Sequence, residues 1–110
     1  MKIYVATGWD NRGRAQEIMN TLALHGHEIT FNWTCSAEAD ANQAIQDYMG
    51  VLSADAFVLI AEHEGMMGAW VEMGIACARN IPVYILGDKG DRCIFLQLPN
   101  IHRGIDPLLN

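Results

Sequence analysis

The chain has 110 residues, 51% of them hydrophobic, which is enough for one core and too few for two domains. It carries 13 acidic and 7 basic residues, a formal net charge of -6 with a sequence pI of about 4.9. That balance argues against binding polymeric nucleic acid, which needs a basic face, but a single nucleotide can be held by backbone amides and one or two arginines.

Met1 leads directly into "KIYVAT" (Lys2 to Thr7), a β-branched and apolar run ended by Gly8. It predicts a first strand and lacks the apolar stretch and cleavage site of a signal peptide. From Asn11 to Leu24, Ala15, Ile18, Met19, Leu22 and Ala23 recur at helical spacing, and Gly26 ends that helix. "EITFNW" (Glu28 to Trp33) predicts the second strand. A second helix is expected from Ala37 to Leu52, with Ala41, Ala44, Ile45, Tyr48 and Leu52 on its apolar side. "AFVLIA" (Ala56 to Ala61) is apolar without interruption, as an inner parallel strand buried on both faces must be. A third helix from Met67 to Arg79 and a fourth strand, "IPVYIL" (Ile81 to Leu86), follow. "RCIFLQL" reads as a short helix or strand and "NIHRGI" as a fifth, edge strand. Strands and helices alternate through short connections, the pattern of right-handed crossovers in a parallel α/β sheet. No linker or repeat divides the chain, so residues 1–110 are read as a single domain.

Cys35, Cys77 and Cys93 make an odd, scattered set, expected as reduced core thiols of a cytoplasmic protein. No apolar run reaches membrane-spanning length, and no His/Cys/Asp spacing suggests a metal. His25 and His27 flank a glycine in a turn, and His102 lies near the edge. Neither a GxGxxG nor a GxxxxGK[ST] motif is present, and no cofactor is expected.

Ligands of open α/β sheets sit beyond the carboxyl ends of the strands. That rule selects three loops. In "TGWDNRGR", Gly8, Trp9, Asp10 and Arg12 are candidate ligand contacts, although Asp10 or Asn11 could equally cap the first helix. In "NWTCS", Trp33 either stacks on a base or closes the core. In "EHEGMMGAWVE", His63 and Gly68 are candidate contacts, and the glycines leave free N–H groups at a helix start. Glu72 sits about one turn inside that helix among Trp70, Val71, Met73 and Ile75. It either complements the helix dipole or is a partly desolvated carboxylate available as nucleophile or base. Asp47 is a mid-helix aspartate that by itself reads as a solvated residue.

"IYVATGWDN", "QDYMGVLSADAFVLI" and "GAWVEMGIACARNIPVYIL", which carries Gly68, Trp70, Glu72, Gly74 and Ala76, together resemble the nucleoside 2-deoxyribosyltransferase superfamily, including the 2'-deoxynucleoside 5'-phosphate N-hydrolases. The likeness covers residues 2–87. It implies a flavodoxin-like, doubly wound parallel sheet of four to five strands. It also implies cleavage of the N-glycosidic bond of a nucleoside or nucleotide, with the sugar passed to another base or to water. Glu72 matches the family's nucleophile. Asp47, eight residues before Asp55, matches the aspartate that assists the leaving base, and Tyr4 matches the strand-one tyrosine beside the nucleophile. A homodimer or higher homo-oligomer is implied as well. Two positions depart from the family pattern: Thr7 stands where a glycine is usual, and "HEGMM" lacks the serine common in phosphate-specific members. A non-catalytic nucleotide-binding module on the same fold is the alternative, and a flavin electron carrier a third.

Overall fold

Five strands pair into one all-parallel sheet in the order β2-β1-β3-β4-β5. In the computed structural model, which describes residues 1–36 and 39–110, these strands are β1 (Lys2–Ala6), β2 (Glu28–Ile29), β3 (Ala56–Ile60), β4 (Val83–Leu86) and β5 (Ile101–Arg103). Helices α1 (Arg12–Leu24), α2 (Ala41–Leu52) and α3 (Met67–Ala78) make the crossovers. The chain steps one way from β1 to β2 and the other way from β2 to β3, so right-handed crossovers place α1 on one face and α2 with α3 on the other. The result is the flavodoxin-like α/β fold, with β1 and β3 at the centre.

The central strands carry the core. Every residue of β3 is buried, as its unbroken apolar run requires, and so are Ile3, Tyr4, Val5 and Ala6 of β1. Their register pairs Tyr4 with Phe57, whose rings stack at 5.8 Å on the α2/α3 face. Ala15, Ile18, Met19 and Leu22 of α1 are buried, whereas Ala23, expected with them, is exposed. Gly26, at φ +88°, turns the chain out of α1 in a conformation that costs glycine little.

Several sequence expectations are corrected. The second strand is two residues long; the chain then bends, and Trp33 falls in a 3-10 turn, Trp33–Cys35. Ala37, the expected start of the second helix, lies outside the described residues; the helix itself runs from Ala41, where the Asp40 side chain accepts from the Gln43 N–H at 2.9 Å. Its expected apolar side does not face the sheet: Ala41, Ala44, Ile45 and Tyr48 are exposed and Leu52 is half-buried. α2 instead meets β1 through Gly50 and Val51, with Gly50 lying on the Tyr4 ring. All three cysteines are free thiols; Cys77 is half-buried and packs against the core, whereas Cys93 is half-buried and Cys35, expected in the core, is exposed. No helix among the described residues is long and apolar enough to cross a membrane.

Candidate active site

β1 and β3 end at a cavity of about 480 Å³, within the range of about 300–1,000 Å³ typical of small-molecule pockets. Strand one brings Tyr4 to its wall and the segment after it Thr7, Gly8 and Trp9, and the bend after β2 brings Trp33 and Ser36. α2 contributes Gln43 and Asp47, and the start of α3 contributes Gly65 through Ala69 and Glu72. The cavity lies where the strand order reverses, which is where open sheets leave a crevice.

Its centre is a hydrogen bond spanning most of the chain. The Tyr4 hydroxyl donates to Glu72 Oε2 at 2.6 Å, a length typical of an O–H donor on a carboxylate. Burial pushes Glu72 up to about 7; the Tyr4 hydrogen bond favours the ionised form and offsets part of that rise, and the nearby charge of Asp47 adds to it. Burial, reinforced by Glu72, raises the Tyr4 phenol far above its ordinary value, so this hydroxyl stays protonated and remains a donor. Burial also raises Asp47, against a hydrogen bond from Gln43 Nε2 to its Oδ1 at 2.9 Å that favours the anion. Two carboxyl groups that hold protons more readily than usual therefore share one cavity.

Two indoles line the same cavity. The Trp33 N–H donates to the Val5 carbonyl at 2.7 Å, and its ring is buried yet lines the cavity, so it both closes the core and presents a face. Trp9 is about half exposed, with its ring centroid 6.4 Å from that of Trp33 and tilted by 47°. The Thr7 hydroxyl donates to the Ile60 carbonyl at 2.8 Å and ties the ends of β1 and β3 together under the cavity. A Cβ on Gly8 would meet Met66 Cβ at 3.3 Å, so the loops after β1 and β3 pack tightly there.

Of the residues singled out from the sequence, Tyr4, Asp47, Glu72, Gly8, Trp9, Trp33 and Gly68 line this cavity. Asp10, Arg12 and His63 do not. Asp10 and His63 are exposed, while the Arg12 guanidinium lies 4.5 Å over the Trp9 ring and donates to the Trp9 carbonyl at 3.1 Å. No side chain caps the first helix: Asn11 is buried and points to Thr7 Oγ1 and Glu62 instead. Sequence reasoning missed Gln43, Ser36 and Met66. Gln43 carries a detectable signal, since it precedes Asp47 by one helical turn, where glutamine–aspartate pairs form. Among the described residues, no group of three or more His, Cys, Asp or Glu side chains is placed to hold a metal ion.

No protein-family profile and no curated protein matches the sequence. Solved structures do match its fold. The CMP N-glycosidase BcmB of Clostridium botulinum superposes with a TM-score of 0.72 at 18% identity, over 94% of this chain and 87% of that one. A conserved protein of Enterococcus faecalis V583 superposes with a TM-score of 0.60 at 20% identity, over 99% of this chain and 86% of that one. The chain thus has the flavodoxin-like fold that its resemblance to the nucleoside 2-deoxyribosyltransferase superfamily implies, and shares it with an N-glycosidase.

Proposed function

We propose that the protein cleaves the N-glycosidic bond of a nucleoside or nucleotide, with Glu72 as nucleophile. The observation that carries this reading is the 2.6 Å bond from Tyr4 to a part-buried Glu72 inside a cavity lined by two indoles. A carboxylate held by one fixed donor has its other oxygen available for attack, and the surrounding apolar walls limit competition from water. In the proposed reaction a Glu72 oxygen bonds to the anomeric carbon as the bond from that carbon to the base nitrogen breaks. The electron pair leaves with the base. Asp47, whose burial favours its protonated form, passes its proton to the departing base. Water or a second base then attacks the anomeric carbon, Asp47 takes up the released proton, and Glu72 departs as carboxylate. Tyr4 positions Glu72 and stabilises its anion; as an always-protonated phenol it is not the base. The indoles of Trp9 and Trp33 offer flat apolar surface for the nucleobase.

The activity described for the Clostridium neighbour breaks the same class of bond, which favours this reading over a binding module. The test uses purified protein with a panel of ribo- and deoxynucleosides and their 5'-monophosphates, with and without an acceptor base. Free base should appear with the parent protein and not with Glu72→Gln. Exchange of bases with an acceptor marks a transferase, and release into water alone marks a hydrolase. A nucleotide that co-purifies intact and is never cleaved would instead establish the binding module.

A further inference from the structure

We infer that the substrate is the uncharged nucleoside rather than its 5'-monophosphate. The inference rests on the nucleoside-cleaving reading above and narrows it. No Lys, Arg or His is among the residues that line the cavity, whereas two acidic side chains, Asp47 and Glu72, are. The two residues outside the description are an alanine and a glutamate, so neither could bring a cation. Arg12 stacks its guanidinium on the ring of Trp9, itself a wall residue, and donates to the Trp9 carbonyl, but it is not among the residues that line the cavity.

A bound 5'-monophosphate would bring up to two negative charges into that lining, on a chain whose net charge is already -6. The low dielectric of a part-buried cavity strengthens repulsion just as it strengthens attraction. One feature opposes this. The N-terminus of α3 has no side-chain cap, and its free N–H groups at Met67, Gly68 and Ala69 carry the positive end of the helix dipole to the cavity. That end is worth about half an elementary charge. It is outweighed when both a dianion and a neighbouring carboxylate are present. A neutral nucleoside meets no such repulsion and still gains the indole surfaces and the carboxyl groups as acceptors for its hydroxyls.

Two readouts on the parent protein test this. Base release is measured by chromatography for each nucleoside and its 5'-monophosphate, and binding at low temperature is measured by quenching of tryptophan fluorescence, since Trp9 and Trp33 line the cavity. The nucleoside should exceed its monophosphate by about tenfold or more in kcat/KM, which corresponds to about 1.4 kcal/mol. Ser36→Lys, which adds a cation to the lining, should narrow that ratio at low salt and lose the effect at about 0.5 M salt, where screening is strong. Equal or preferred cleavage of the monophosphate overturns the inference. If nothing in the panel is cleaved, the N-glycosidase reading fails, and binding decides this inference separately. Quenching by nucleosides at about tenfold lower concentration than by monophosphates upholds it. Equal or tighter monophosphate binding, or no binding of either, overturns it.

Discussion

Replacing Glu72 by glutamine should stabilise the protein at alkaline pH while abolishing its chemistry. The carboxyl group titrates at 4.5 in a free chain and at about 7 in the fold, because burial disfavours the anion more than the Tyr4 hydrogen bond favours it. Below pH 4.5 the group is protonated in both states and costs nothing. Between 4.5 and about 7 the unfolded chain ionises while the folded one resists, so this contribution to stability is lost progressively as pH rises. Above that window both states are ionised and the full cost is present. At about 1.4 kcal/mol per pH unit the cost amounts to about 3 kcal/mol. A glutamine has nearly the same shape, can accept the Tyr4 hydroxyl, and carries no charge to desolvate. The assay is chemical denaturation of parent and variant from pH 4.5 to 8.5, which needs no knowledge of the substrate. The variant's advantage should grow across that range to about 3 kcal/mol, on the order of 10 °C in Tm for a domain of this size. If the two stability curves run parallel, or the variant falls below the parent at pH 8.5, the carboxylate is not held against its solvation and the argument for a poised nucleophile collapses. The expected trade is a familiar one, in which a site gives up stability to keep a reactive group in a water-poor place.

Activity of the parent should rise with pH through about 7, as Glu72 ionises. Tyr4→Phe removes the donor that favours the anion, so the rising limb of kcat/KM should move about one to two pH units higher, the value of a hydrogen bond to a charged group; an unmoved limb would refute the assigned role of Tyr4. Gly50→Ala sets a Cβ 3.0 Å from the Tyr4 ring and 3.1 Å from Phe31 Cβ, and the overpacking, about 1–3 kcal/mol, outweighs a helix-propensity gain of about 1 kcal/mol. Gly74→Ala, at an exposed position of α3 with nothing within 4 Å of the added Cβ, should keep that gain, so the two denaturation midpoints should move in opposite directions. Trp33→Phe withdraws the donor from the Val5 carbonyl and part of the cavity wall, and should cost about 1 kcal/mol in stability and weaken nucleoside binding measured by titration.

Much of the fold is legible in the sequence because its signals are local. The unbroken apolar run of β3, the helical spacing of Ala15, Ile18, Met19 and Leu22, and the glycine at position 26 each report on a few neighbouring residues. The misjudged elements depend on distant partners. "EITFNW" has strand composition throughout, yet pairing stops after Ile29, where the chain bends to bring the Trp33 indole to the Val5 carbonyl. The apolar stripe of α2 is real, but an amphipathic pattern says which residues are alike and not which side meets the sheet. Close contact through Gly50 settles that, leaving Ile45, Tyr48 and Met49 in the open.

The candidate site divides in the same way. By itself the sequence determined that a carboxylate stands on an apolar helix at the carboxyl edge of a parallel sheet, since strand–helix order and composition are both written along the chain. It could not determine that carboxylate's state, because the groups acting on Glu72 come from elsewhere. Tyr4 lies 68 positions away and Asp47 on another helix, and the burial that dominates is made by three elements together. Nor could it show that Arg12, close to Trp9 in sequence, stacks on the Trp9 ring and is not itself among the residues that line the cavity. The identity of the acidic residue is a property of the chain, whereas its proton affinity and the charge of the ligand it can accept are properties of the packed interior, where distance and exclusion of water set the energies.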